Sequence, residues 1–227
     1  MKNIFKYTFL TLMLTAFIGC ETGDLDLLND PNNLTEESAD PNFILNDVQI
    51  TFRNIFSGYN GPSQTITRMT NQFGAYSGPV NDGTLSFEWS QSYQMFTNID
   101  NLQAIHESSE DGIANLLGVA QIFEAFSYIL LVDYLGDVPY DEANQPEEFP
   151  NPKVTLGATV YAKQLELLDE AIPNLQSGST INPSTDLYFG EFDKDKWIAV
   201  ANTLKLRVYN NLRLTQPAQA TEGIIKY

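Results

Sequence analysis

The sequence predicts an all-α fold in which helix pairs pack side by side in a solenoid-like manner, with long loops between them. Three observations predict it. Apolar residues recur every three or four positions in several separate blocks, and no stretch shows the apolar–polar alternation of a half-buried strand. One block, residues 113–135, is apolar on two faces, as a helix must be when neighbours enclose it. No 34-residue sequence repeat is visible, so any repetition is structural.

In chain order, residues 42–58 place Phe43, Ile44, Val48, Phe52 and Ile55 on one side of a helix that Gly58 is expected to stop. Residues 65–76 give a second, weaker helix. Residues 89–107 carry Tyr93, Phe96, Ile99, Leu102 and His106 at helical spacing. In residues 113–135, Ile113, Leu116, Ala120, Phe123, Leu130 and Tyr134 form one stripe, and Ile122, Phe126 and Ile129 form another. Gly136 stands where a left-handed C-terminal cap belongs, and Pro139 prevents the helix from resuming. Val160, Leu165, Leu168, Ile172 and Leu175 make the next stripe, which Pro173 is expected to end or kink. Residues 177–190, rich in Ser, Thr, Gly and Pro, read as loop. Trp197, Val200, Leu204, Val208 and Leu212 make the last stripe, in a helix expected to reach residue 214.

The first twenty residues have a separate logic. Lys2 and Lys6 precede an uncharged run over residues 7–18, and Gly19-Cys20 follows. That run is shorter than the about 20 apolar residues a membrane-crossing helix needs. A basic flank, a short apolar core and a small residue at the cut describe an export signal. With Cys20 next to the cut, the pattern resembles a bacterial lipobox, although Phe17 stands where a smaller aliphatic residue is usual. Cys20 is the only cysteine, so no intramolecular disulfide can form, and lipidation accounts for both its place and its solitude. The expected organisation is a signal peptide over 1–19, an acidic flexible tether over 20–40 and a helical domain over 41–227, held to a membrane by lipid rather than spanning it.

Removing residues 1–19 takes away two lysines and no acid, so the formal charge of −17 becomes −19. Such a surface repels nucleic acid and anionic headgroups. Hydrophobic content of 43% excludes general disorder and supplies one sizeable core.

Two segments carry a family resemblance. One reads Asp133-Tyr134-Leu135-Gly136-Asp137-Val138-Pro139-Tyr140-Asp141-Glu142-Ala143. The other reads Trp197-Ile198-Ala199-Val200-Ala201-Asn202-Thr203-Leu204-Lys205-Leu206-Arg207. Together they resemble the SusD/RagB family of Bacteroidetes outer-membrane lipoproteins. Its members carry a Y-x-G-D-[VI]-P-[YF] turn after a buried helix, and later a W-x-x-[FVA]-A-N-[ST]-L-x-[LM]-R helix. Trp89, Tyr93 and Asn101 resemble the family's earlier W-x-x-x-Y helix with its following Asn. The resemblance implies a TPR-like α-superhelix, a cell-surface location and capture of an oligosaccharide or other nutrient. It also implies delivery to a SusC-like TonB-dependent transporter, with no cofactor. Glu21, Asp24 and Asp26 resemble the surface-export signal of Bacteroidetes lipoproteins. Family members run about twice this length, so the sequence is expected to be an N-terminal portion.

Read physically, Gly136 can adopt a backbone conformation closed to other residues, Asp137 can accept backbone hydrogen bonds within the turn, and Pro139 fixes the exit direction. Trp197, Leu204 and Val208 are core by spacing, and Asn202 is expected to bond backbone or a neighbouring helix. Lys205, Arg207 and Arg213 complement the helix dipole and are expected to pair internal carboxylates. Catalytic signals are thin. His106 is the sole histidine, lies at a helix end and reads as a packing or surface residue. No H-x-x-x-H or C-x-x-C metal spacing exists. Asp24, Asp26, Asn29 and Asp30 lack the bidentate Glu of a calcium loop. No carboxylate pair stands out among the 29 acids. Aromatics are the remaining lead: Tyr76, Asn81, Trp89 and Tyr93 place rings beside amides and turn residues, the combination that stacks on and hydrogen-bonds sugar rings. Rival functions are a protein-binding helical scaffold and a lipid-anchored hydrolase. Turnover would mark the hydrolase, and indifference to polysaccharides the scaffold.

Cys20→Ser is expected to move the protein from membrane to soluble fractions or to leave it unprocessed. Unchanged membrane partition and gel migration of that variant would rule out the lipid anchor.

Overall fold

The computed structural model describes residues 40–71, 73, 74, 83–109 and 112–226. Cys20 and the tether lie outside them. Helix α1 spans Pro41–Ile66. Asp40 caps it, with Oδ1 accepting from the Asn42 N–H at 2.9 Å, and Pro41 stands in the first turn where its missing N–H leaves nothing unpaired. Leu45, Val48, Phe52, Ile55 and Tyr59 are its buried stripe, stepping three and four residues at a time.

Gly58 does not stop this helix, and 65–76 is not a second one. The helix runs on through Gly58 and Pro62 to Ile66, then turns, with Arg68 at φ 59°. Tyr59 is 2% exposed, and its burial outweighs the roughly 1 kcal/mol that an interior glycine costs. A Cβ at Gly58 would meet the flexible side chain of Glu88 on the next helix, which would have to shift to admit it. Hydroxyls support the backbone around Pro62, with Ser63 Oγ donating to the Tyr59 carbonyl at 2.5 Å and Thr67 Oγ1 to that of Ser63 at 2.7 Å.

Helix α2 is Ser86–Ser108 and packs along α1. At its end His106 Nδ1 accepts the Ile113 N–H at 2.9 Å, which fixes the reversal into α3, Ala114–Leu135. Of the 22 residues of α3, 17 are buried, so it is the core helix of the domain. By length and composition it could cross a membrane, but α1, α2, α4 and α5 enclose it here.

Strands β1 (Val138–Pro139) and β2 (Val154–Thr155) pair antiparallel, Val138 opposite Thr155 and Pro139 opposite Val154. They return the chain to start α4, Gly157–Gln176. Pro173 sits in the last turn of α4, and the helix ends three residues after it, as expected of a residue that breaks the backbone ladder.

The segment after α4 is loop and is organised by Asp186, which is 4% exposed. One carboxylate oxygen accepts the Tyr188 and Phe189 N–H groups at 2.9 and 2.8 Å, and the other accepts Trp197 Nε1 at 2.8 Å. Helix α5, Lys194–Leu212, thus enters the core through Trp197, whose ring meets Phe123 at 5.1 Å and Phe189 at 5.2 Å. It stops at Leu212 rather than 214. A short helix not foreseen from the sequence, α6 (Pro217–Lys226), folds back on α5.

Three helices are tied at one carboxylate. Asp133 of α3 accepts from the Tyr161 hydroxyl of α4, from Asn211 Nδ2 of α5 at 2.8 Å and from Arg207 Nη2 of α5 at 2.5 Å. Lys205, 1% exposed, pairs with Asp169 of α4. Both cations therefore pair internal carboxylates, and Arg213 bonds the Asn210 carbonyl near its helix end at 2.7 Å. Asn202 departs from expectation. It is half-buried and makes no side-chain hydrogen bond among the described residues, because it lies off the faces that carry the α4 and α3 contacts.

Gly136 ends α3 at φ 80°, ψ −110°, a glycine-only region rather than the expected left-handed helical one, and its N–H reaches the Val132 carbonyl at 3.0 Å. Asp137 also differs from expectation. Its Oδ1 accepts not within the turn but from Gly157 N at 2.8 Å, so it caps the distant N-terminus of α4, whose own capping residue, Leu156, has no acceptor side chain. The β1–β2 pairing makes this possible by returning the chain alongside. No heavy atom lies within 4 Å of a Cβ placed on Gly136, so its requirement is purely conformational. Gly136→Val is expected to lower stability by about 1–3 kcal/mol through backbone strain alone. Urea unfolding of variant and parent with equal midpoints would show that the turn relaxes without it.

Candidate functional site

At the C-terminal end of α3, the start of α2 and the end of α1 assemble an aromatic surface. Trp89, in the first turn of α2, is half-buried and lines a recess of about 480 Å³ with Thr84, Leu85, Ser86, Ser90 and Leu135. Its indole N–H has no partner among the described residues. Tyr134 and Tyr59 lie ring to ring nearby at 4.4 Å, with Tyr134 41% exposed and its hydroxyl bonded to that of Ser63. Phe87 and Leu135 are also exposed. Leu85 adopts φ 69° just before α2. Left-handed backbone at a leucine costs of order 1–3 kcal/mol, a strain that concentrates at ligand-binding segments.

Behind the recess stands Tyr93. Its ring lies 4.9 Å from Trp89 and 5.5 Å from Phe96. Its hydroxyl donates to the Pro139 carbonyl at 2.8 Å, and its own carbonyl accepts from Asn144 Nδ2 at 3.1 Å. Burial pushes the Tyr93 and Tyr59 phenols well above their ordinary range, so both are neutral; the Tyr93 hydroxyl is bonded, whereas that of Tyr59 is buried with no partner among the described residues. The turn at Gly136, Asp137 and Pro139 thereby braces the helix that carries Trp89.

Of the residues expected to meet a ligand, Trp89 and Tyr93 are neighbours in space, while Tyr76 and Asn81 lie outside the described residues, in the segment that leads into Thr84. Trp197 and Arg207 belong to a different face. Arg207 lies 5.6 Å from the centre of the Phe126 ring and, with Phe189, borders an apolar recess of about 420 Å³. Phe87 belongs to the 87–93 stretch whose aromatics the sequence singled out, and the parts of the Trp89 surface missed from the sequence are Tyr134 and Leu135. Their apolar character was visible, but their exposure depends on where α3 and α2 end against their neighbours.

Flat ring faces flanked by the hydroxyls of Thr84, Ser86 and Ser90 suit a polyhydroxylated ring, with C–H faces on the aromatics and hydroxyls toward the polar groups. His106 is engaged with backbone, and no group of three or more His, Cys, Asp or Glu is arranged to hold a metal among the described residues.

The fold is a helical module that carries an exposed aromatic recess. The chain belongs to the SusD-like family described as starch-binding and associating with the outer membrane, whose model matches residues 31–226. Solved structures agree. A chitin-binding protein is 25% identical with a TM-score of 0.60, over 78% of this chain and 41% of its own. A SusD/RagB family protein from Bacteroides thetaiotaomicron superposes with a TM-score of 0.61 at 23% identity, over 84% of this chain and 42% of that one. A chitin-binding SusD homolog from Flavobacterium johnsoniae gives 0.58 at 16%, over 80% and 41%. The last two likenesses concern the fold. The chain spans about two fifths of the length of these relatives. No curated protein matches it.

Tyr93→Phe removes the bond to the Pro139 carbonyl while keeping the ring. It is expected to cost about 1 kcal/mol in stability, read by urea denaturation. An unchanged midpoint would mean that the hydroxyl does not brace the turn.

Proposed function

We propose that this chain contributes the helical, saccharide-contacting part of a lipid-anchored outer-membrane protein that captures an oligosaccharide without chemically altering it. In this proposal the protein passes its cargo to a SusC-like TonB-dependent transporter at the cell surface. Cys20 carries the lipid at the end of the 20–40 tether. Trp89 is the stacking surface, backed by Tyr93, and the adjoining segment brings Tyr76 and Asn81 to the same ligand. The observation that carries the proposal is the Trp89 recess: an aromatic ring whose indole N–H has no partner among the described residues, beside Thr84, Ser86 and Ser90, at the end of a rigid helical frame. Membership of a family described as starch-binding, and the likeness to a chitin-binding protein, support a saccharide as the ligand.

The chain has two tryptophans, and Trp197 is 2% exposed, so a saccharide that stacks on the surface must change the Trp89 emission. Titration with maltooligosaccharides and chitin oligosaccharides is expected to shift tryptophan fluorescence saturably with one of the two series. Trp89→Ala is expected to weaken that binding by about tenfold, a stacking loss of roughly 1 kcal/mol or more. Failure of both series to bind, or full affinity in Trp89→Ala, would reject this site.

A further inference from the structure

A second cavity, of about 500 Å³, lies between α2, α3 and the turn that follows β1. Its walls are of two kinds. Phe96 and Tyr128 stack face to face at 4.0 Å and 9°, and Tyr140 meets Tyr128 edge-on at 4.8 Å. Around these rings stand three carboxyl groups, Asp100 from α2, Glu124 from α3 and Asp141 from the turn, with the amides of Asn144 and Gln145. No lysine or arginine lines it. Glu124 and Asp100 accept no hydrogen bond among the described residues. Tyr128 is 3% exposed, lines the cavity, and its hydroxyl likewise has no partner among the described residues. The Tyr128 hydroxyl and two carboxyl groups are thus left without a partner among the described residues at a space lined by aromatic rings.

We propose that this cavity binds a small organic cation through a primary ammonium group. Three N–H donors match the carboxylates of Glu124 and Asp100 and the Tyr128 hydroxyl oxygen, and a short aliphatic skeleton lies on the Phe96, Tyr128 and Tyr140 rings, whose faces attract a cation. The aromatic walls and volume suit an alkylammonium better than a bare metal ion, and the described residues hold no three-ligand metal group. The proposal is independent of the saccharide site. Asp100 lies eleven residues along α2 from Trp89, about 16 Å at 1.5 Å per residue.

The charges around Glu124 give the site a signature. Burial first, then Asp100 and Glu170 of α4, push the Glu124 carboxyl up to about 8, and burial raises Asp100. Tyr93 of α2, Tyr128 of α3 and Tyr140 of the turn face the same region as neutral phenols. Asp141 accepts from Thr155 Oγ1 at 2.9 Å. Lys163 of α4 senses Asp141 and Glu170 but is exposed and paired with Glu166 at 3.0 Å. Glu124 is therefore mostly protonated at pH 7, and a bound ammonium ionises it. Binding releases a proton, and affinity rises with pH up to about 8. Without ligand the sign for stability is the reverse of the usual carboxylate. A folded-state value above 4.5 means that stability falls as pH rises from about 5 to about 8.

The test is calorimetric titration of the full chain with putrescine, at pH 6, 7 and 8 and in two buffers of different ionisation heat, with 1,4-butanediol as the uncharged counterpart and Ca²⁺ as the inorganic one. Putrescine is expected to bind with release of close to one proton at pH 7 and to tighten more than tenfold from pH 6 to pH 8, while butanediol and Ca²⁺ do not bind. Glu124→Gln is expected to fold, to lose the fall in melting temperature between pH 5 and 8, and to bind putrescine at least tenfold more weakly with no proton release. Asp100→Asn, on the exposed rim, weakens binding independently and decides the matter if Glu124→Gln does not fold. Saccharide binding at Trp89 should persist in both variants. No putrescine binding, equal binding of butanediol, tighter binding of Ca²⁺, or affinity unaffected by either substitution would overturn the proposal.

Discussion

A helix without a polar face must be enclosed, and the rest of this domain follows from enclosing α3. It supplies apolar side chains in every direction, so α1, α2, α4 and α5 each bring one apolar stripe to it and keep the other side for water. That division explains why the flanking helices show clear amphipathic stripes while α3 shows two. Most polar groups on α3 are engaged or face a cavity, the Ser127 hydroxyl being the buried exception without a partner among the described residues. Gln121 accepts from Asn174 of α4 at 2.8 Å, Asn115 donates to the Ser179 carbonyl at 3.1 Å, and Asp133 gathers Tyr161, Asn211 and Arg207. Glu124 lies on the wall of the acidic cavity.

Where α3 ends, the constraint passes to the turn. The chain must reverse within a few residues and run antiparallel as α4, and it does so through Gly136, the two-residue β pairing and the Asp137 carboxylate on the first N–H of α4. The same turn offers the Pro139 carbonyl to Tyr93, so the reversal of one helix pair fixes the position of the preceding helix. Trp89, one turn from Tyr93, inherits that rigidity. A stacking surface held by packed helices loses little conformational freedom on binding.

The strong negative charge has a local expression. The cations of the core, Lys205 and Arg207, are held by Asp169 and Asp133, and at the acidic cavity the carboxyl groups are left without a cationic partner in its lining. In the proposed scheme a neutral saccharide would meet the aromatic recess without an electrostatic barrier, whereas a cation would be drawn to the cavity. Two ligand chemistries can thus be served by one helical frame, because ring faces occur in both places and only the surrounding polar groups differ.

By itself the sequence determined the helical class, the positions of α2, α3, α4 and α5, the glycine-dependent turn and the core role of Trp197, because these follow from periodicity and from local backbone limits. It also carried the family resemblance in the 133–143 and 197–207 motifs, which the family match then bore out. Tertiary structure decided the rest. Gly58 reads as the end of the first helix, yet α1 continues through it because burial of Tyr59 against its neighbours outweighs the local cost of the glycine. Helix α6 has few apolar residues of its own and folds against α5. Asp137 caps a helix twenty residues away, and Asp186 binds Trp197 across a loop. The acidic cavity joins Asp100, Glu124 and Asp141 from three elements. Periodicity and turn chemistry reach only a few residues along the chain, whereas these contacts exist only once the helices have been brought side by side.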